Sequence, residues 1–188
     1  MKNGKLILKI VVPLLLVCVI AGIWAVKTIQ KVTDSTDNPT SAQTDVSGNP
    51  VTGNPDFALN VTNNNLDIEK LKTYGLPIII EFGADWCAPC KQMAPIIKAL
   101  NEDLQGKAIV RFVNTDENQK ASQAYDFQYI PTQLFINADG TPYNPANASA
   151  MQMDLKYDKT TNKHLYTTHT GTLTKQQLLD ILDEMGMK

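Results

Sequence analysis

The sequence is poor in the residues that most often hold metals or build cross-linked frameworks, with two histidines and three cysteines in 188 residues. His164 and His169 stand far along the chain from the cysteines, and there is no second C-x-x-C, so a structural zinc site lacks ligands. Three cysteines do not make the disulfide framework of a small secreted domain. Cys18 lies in an apolar N-terminal run, which leaves Cys87 and Cys90 as the one pair in the rest of the chain. Charge of one sign is missing as well. Seventeen basic against nineteen acidic residues give a net charge of −2, and no lysine- or arginine-rich run occurs. That removes the electrostatic footprint of a nucleic-acid binder. No coiled-coil pattern argues for an oligomer, so a monomer is expected.

A different deficit marks residues 33–56, where apolar residues are almost absent and Asp, Asn, Thr, Ser, Gly and Pro take over. No lysine or arginine occurs between Lys31 and Lys70. Such a stretch cannot bury enough surface to fold and reads as a flexible linker. Its use is either reach, letting a folded part swing near a membrane, or plain spacing. Before it, Lys2, Lys5 and Lys9 precede an apolar run from Ile10 to Val26, followed by Lys27 and Lys31. Counted from Leu6 with Lys9 snorkelling, this spans about 21 residues, enough for a transmembrane helix. A cleaved signal peptide shares the charged start, but its apolar region is shorter and no A-x-A site follows Val26. Residues 1–32 therefore read as a membrane anchor. The basic residues slightly favour the N-terminus inside and the remainder outside the cytoplasm. Val17 is too bulky before Cys18 for a lipidation site, so Cys18 reads as a small membrane-embedded hydrophobe.

Residues 57–188 read as the folded domain. Phe57, Leu59 and Val61 alternate as in a strand. Asn63 to Asn65 offer a cap for a helix that Gly75 stops. Ile78–Phe82 is a central strand, and a long helix runs from Cys87 to about Leu104, with Ile96, Ile97, Leu100 and Leu104 as its apolar stripe. Pro95 removes one hydrogen bond from it. Ala108–Val113 and Thr132–Asn137 are further strands, separated by a short helix over Asn118–Tyr125. Near the end, Thr174 with Gln177 makes a capping box and Leu173 with Leu178 a hydrophobic staple. The order predicts an α/β layer sandwich around a mixed sheet.

The stretch Leu76–Pro95 organises this domain. A buried strand delivers Cys87 and Cys90 to a helix N-terminus, where free N–H groups and aligned peptide dipoles favour a thiolate over a thiol. Cys87 is thereby a better nucleophile near neutral pH than a free cysteine, and Cys90 lies one turn further in, close enough to close a disulfide. Glu81 interrupts an otherwise apolar strand, where an unpaired carboxylate is expensive. Ile80 and Phe82 must face opposite to it.

Trp86-Cys87-Ala88-Pro89-Cys90-Lys91, followed by Ala94-Pro95, Ile130-Pro131-Thr132 and Gly171, resembles the thioredoxin superfamily over essentially residues 57–188. With the expected anchor, the similarity is to membrane-tethered extracytoplasmic thioredoxin-like proteins of bacteria. The resemblance implies a thioredoxin-like three-layer sandwich and a protein-disulfide oxidoreductase working through a redox-active Cys87–Cys90 disulfide, with no other cofactor and no metal. It implies Cys87 as attacking and Cys90 as resolving cysteine, and Glu81 as the buried acid that moves a proton to or from Cys90. Pro131 becomes a cis-proline beside the disulfide, with the Ile130 backbone pairing an extended substrate segment. Trp86, Ala88 and Pro89 complete the substrate-binding rim. The implied partners are disulfide-containing protein substrates and a membrane thiol electron donor.

The sequence also departs from the family. Gly83 stands where a tryptophan is usual, and Phe112 where a lysine usually pairs with the buried acid. Residues 141–168 replace a tight hairpin with an extended one, its strands suggested by alternating Met151, Met153, Leu155 and Tyr157 and by His164–Thr170. Isoleucine before the proline and the Ala-Pro dipeptide resemble reductases more than oxidases. The expected function is thus a membrane-tethered, extracytoplasmic disulfide reductase. A disulfide-forming oxidase and a non-catalytic binding module of the same fold remain as alternatives.

Overall fold

Residues 53–188 are described by a computed structural model; the expected anchor and most of the expected linker lie outside the described residues. No helix among the described residues is long and apolar enough to cross a membrane.

The first described segment corrects the strand expected at Phe57, Leu59 and Val61. Pro55–Phe57 is a single 3-10 turn capped by Asn54, and only one parallel bridge, Asn60 to Phe112, follows it. The ladder is limited to Phe112 N donating to Leu59 O and Val61 N donating to Phe112 O, while side chains take the neighbouring carbonyls. Asn101 Nδ2 donates to Phe57 O, and Arg111 Nε and Nη2 donate to Ala58 O and Asn60 O. The burial alternation holds even so, with Phe57 and Val61 inside. Asn63 and Asn64 do not cap a helix. They adopt left-handed φ values of 55° and 54°, which asparagine tolerates, and turn the chain. The cap is Asp67, whose carboxylate accepts from Lys70 N, and helix α1 is short, Ile68–Lys72.

Strand β1, Ile78–Gly83, is buried at every position because it is central and covered on both faces. Helix α2, Ala88–Asp103, follows directly. Its cap is Cys87, and Pro89 falls in its first turn, where a missing N–H leaves nothing unpaired. Strand β2 is Ile109–Asn114 and helix α3 only Gln119–Gln123. Helix α3 ends two residues before the expected Tyr125, and the wholly buried Asn118 side chain does not cap its start. That amide instead donates to Val61 O and Asn114 O and accepts from Asn64 N. Strands β3, Thr132–Ile136, β4, Met153–Tyr157, and β5, His164–Thr170, lead to helix α4, Lys175–Glu184. The Thr174–Gln177 capping box is present in full. Met151 lies just outside β4, since Gln152 takes a left-handed φ of 53°.

The five strands form one mixed sheet in the order β2-β1-β3-β5-β4, with β1 and β2 parallel and the other pairs antiparallel. One face carries Ile79, Val110 and Phe135 under Met93, Ile97 and Leu100 of α2 and Leu178, Ile181 and Leu182 of α4. The other carries Ile78, Ile80, Phe82 and Leu134 against Phe57, Leu71 and, at its edge, Tyr125. This is a three-layer sandwich with the start of α2 at one end of β1.

Candidate active site

Cys87 and Cys90 are joined by a disulfide, their Cα atoms 5.2 Å apart. Cys87 caps α2 from an extended backbone, and Cys90 N–H points at its sulfur from 3.2 Å. In the reduced pair that N–H and the helix dipole favour charge on Cys87 Sγ. Cys87 Sγ lies 3.6 Å from Ile130 O. This is a contact in the disulfide, whose sulfur has no proton to give, and becomes a possible donor pair once Cys87 is a thiol.

The Ile130–Pro131 peptide bond is cis. The loop around it is pinned from both sides. Gly171 N donates to Pro131 O at 2.9 Å, and Thr132 Oγ1 donates to Tyr129 O at 2.7 Å. Ala88, Pro89 and Trp86 are exposed around the disulfide. Trp86 is 70% exposed and its Nε1 donates to Asp116 Oδ2 at 2.8 Å, so the ring is held on the rim and is not part of the core. Tyr129 is equally exposed on the other side. Between them opens a cleft of about 590 Å³ lined by Trp86, Tyr125, Phe127, Ile130 and Tyr166.

Glu81 is 2% exposed, and neither carboxyl oxygen closes a hydrogen bond. Burial pushes its pKa up to about 8, with the Gln133 amide acting weakly in the opposite direction. A carboxyl in this condition holds its proton at neutral pH and can exchange it with a thiol of similar acidity. Phe112 stands opposite it on β2, so no cation offsets the burial.

Gly83 is explained by the same neighbour. A Cβ there would lie 2.9 Å from Phe112 Cε2 and 3.3 Å from Cys90 Cβ. The Phe112 ring fills the space beside Gly83, and the two departures form one packing unit. Among the described residues no group of three or more His, Cys, Asp or Glu side chains could hold a metal ion.

Two residues here are not marked as part of the site by the sequence, where His169 stands only as a zinc ligand without partners. Gln133 and His169 are buried on the same sheet face as Glu81, and His169 Nδ1 lies 2.8 Å from Gln133 Oε1. The available signal was a glutamine breaking the apolar strand Thr132–Ile136.

A disulfide at a helix N-terminus, a cis-proline loop beside it and a buried acid on the adjoining central strand define a thiol–disulfide oxidoreductase on a three-layer α/β scaffold. Comparison with known proteins agrees. The thioredoxin family model matches residues 57–157. The thioredoxin of Pseudomonas aeruginosa is 32% identical over 125 residues, covering 66% of this chain and 93% of that protein. The thioredoxin of Rickettsia bellii is 40% identical over 84 residues, covering 44% of this chain and 79% of that protein. A solved structure of a thioredoxin variant from Halobacterium salinarum superposes with a TM-score of 0.48 at 22% identity, covering 69% and 91% of the two chains. The chain belongs to the thioredoxin family. The working group of that family is a redox-active disulfide, without an added cofactor.

Proposed function

We propose that this protein reduces protein disulfides outside the cytoplasm while tethered to the membrane by residues 1–32, drawing electrons from a membrane thiol donor. The observation that carries the redox reading is the Cys87–Cys90 disulfide at the α2 N-terminus, beside the Ile130–Pro131 loop. The apolar run Ile10–Val26 between lysines supports the tether. Isoleucine before Pro131 supports the reductive direction.

In the proposed cycle the substrate segment lies along Ile130 and Pro131 within the rim of Trp86, Ala88 and Pro89. The Cys87 thiolate attacks one sulfur of the substrate disulfide, forming a mixed disulfide and releasing one substrate thiolate, which takes a proton from solvent. Glu81 accepts the Cys90 proton, and the Cys90 thiolate attacks Cys87 Sγ. The Cys87–Cys90 bond forms, the second substrate sulfur leaves, and two electrons have passed from protein to substrate. A donor dithiol returns them.

The test uses the full chain in mild detergent, with insulin as substrate and dithiothreitol as electron source. Insulin is expected to precipitate catalytically with the native protein and not with Cys87→Ser. Cys90→Ser is expected to accumulate a mixed disulfide that reductant releases. Failure of the native protein to turn over insulin, together with no trapped adduct in Cys90→Ser, favours the binding module. For location, a membrane-impermeant thiol reagent added to intact cells is expected to label the reduced pair; labelling only after lysis contradicts the extracytoplasmic placement.

A further inference from the structure

Glu81, Gln133 and His169 stand side by side on β1, β3 and β5, directly opposite one another in register. Directly opposed residues project to the same face with Cβ atoms about 5 Å apart. All three are at most 5% exposed. Gln133 Nε2 donates to Gly171 O at 3.0 Å, which turns Oε1 toward His169. Oε1 only accepts, so the proton between them belongs to His169 Nδ1, 2.8 Å away. Two of the three polar positions of the Gln133 amide are thereby fixed, one by a side chain and one by the backbone of the turn that also holds Pro131. The second N–H of Nε2 remains, and the Gln133 amide is the hydrogen-bonding group that acts on the Glu81 carboxyl across the row, although neither Glu81 oxygen closes a bond in this geometry.

We propose that Gln133 is a positioning residue for the thiol–disulfide step. His169 and Gly171 hold its amide so that the remaining N–H steadies the Glu81 carboxylate that accepts the Cys90 proton. The inference rests on the assignment of Glu81 as proton acceptor and adds the device that keeps this carboxylate usable. An ionised Glu81 with no donor in an apolar layer is scarcely populated near neutral pH; one N–H aimed at it raises that population. The surroundings offer no substitute. β2 presents Phe112 on this row, α2 brings Cys90 and Met93 to this face, and α4 brings Leu178, Ile181 and Leu182. His169 is the other titratable side chain of the row. Burial lowers its pKa, favouring the neutral ring, and Nδ1 donates to Gln133 in both of its protonation states.

The experiment follows resolution of a mixed disulfide in the reduced full chain carrying Cys18→Ala. One equivalent of Ellman's reagent forms the adduct on Cys87, and attack by Cys90 releases a second thionitrobenzoate anion, read by absorbance against pH. The rate is expected to rise through the Glu81 midpoint. In Gln133→Leu and His169→Phe that rise is expected to move up by about 0.5 pH unit or more, slowing release near pH 7 about threefold. His169→Asn, whose Nδ2 takes the place of Nδ1, is expected to restore the native profile, which a merely structural role for His169 does not predict. Should Gln133→Leu fail to fold, the Phe and Asn variants at His169 decide. An unmoved rise in both Gln133→Leu and His169→Phe overturns the inference and leaves the proposed function standing, provided Glu81→Gln flattens the rise. A rise that survives Glu81→Gln overturns the proton-acceptor assignment itself.

Discussion

At the scale of single residues, Glu81 places stability and chemistry in opposition. Its carboxyl ionises near 4.5 when exposed and near 8 when folded. Below pH 4.5 both states are protonated and burial carries no ionisation penalty. As pH rises from 4.5 toward 8 the unfolded chain loses the proton and the folded chain keeps it, so stability falls; above 8 the loss is complete. The full effect is on the order of 5 kcal/mol. Glu81→Gln is therefore expected to gain in melting temperature over the native protein progressively between pH 5 and pH 8, with no pH-dependent gain below pH 4.5. A difference constant across that range contradicts the placement of the carboxyl. Gly83 makes a second residue-scale prediction. Gly83→Ala pushes a methyl against the Phe112 ring and Cys90, and overpacking of this kind costs about 1–3 kcal/mol. Combining it with Phe112→Leu is expected to recover most of that loss in urea unfolding. Strict additivity of the two changes rules out the shared space.

At the scale of elements, legibility followed how local the determining interactions are. Helix α2, strand β1 and the α4 capping box depend on residues within a few positions of each other, and sequence pattern reached them. Cys87, Cys90 and Pro131 belonged to short motifs, and Glu81 stood out as a charge in an apolar run. The segment at Phe57–Val61 has the alternation of a strand but only a single bridge to Phe112, with Asn101, far along the chain, taking the Phe57 carbonyl. Gln133 and His169 were hidden for a related reason. Their meaning lies in cross-strand register, and nothing in a linear pattern says that positions 81, 133 and 169 form one row. Thr174→Ala tests the local kind. It removes a cap to Gln177 N and is expected to cost about 1 kcal/mol in chemical denaturation, with no change in disulfide chemistry. A loss of activity at full folding contradicts the separation of α4's cap from the site.

At the scale of the whole molecule, the sheet order brings the separated parts of the site to one end. β1 carries Glu81 and feeds α2 with its cysteines, β3 begins just after Pro131, and β5 ends at Thr170, just before the Gly171 that bonds Pro131 O. The extended hairpin of β4 and β5 places β4 at the sheet edge opposite β2. The family match covers residues 57–157 and the described fold residues 53–188, and the proposed tether lies in the segment before them.

The reduction potential of the Cys87–Cys90 pair in the full chain, equilibrated against dithiothreitol or glutathione buffers, tests the central claim most directly. A reductase is expected to lie near about −270 mV, where the oxidised pair is stable enough for electrons to pass to substrate disulfides. A value near about −120 mV contradicts that direction and makes the protein an oxidant, and a pair that never closes its disulfide contradicts the redox account altogether.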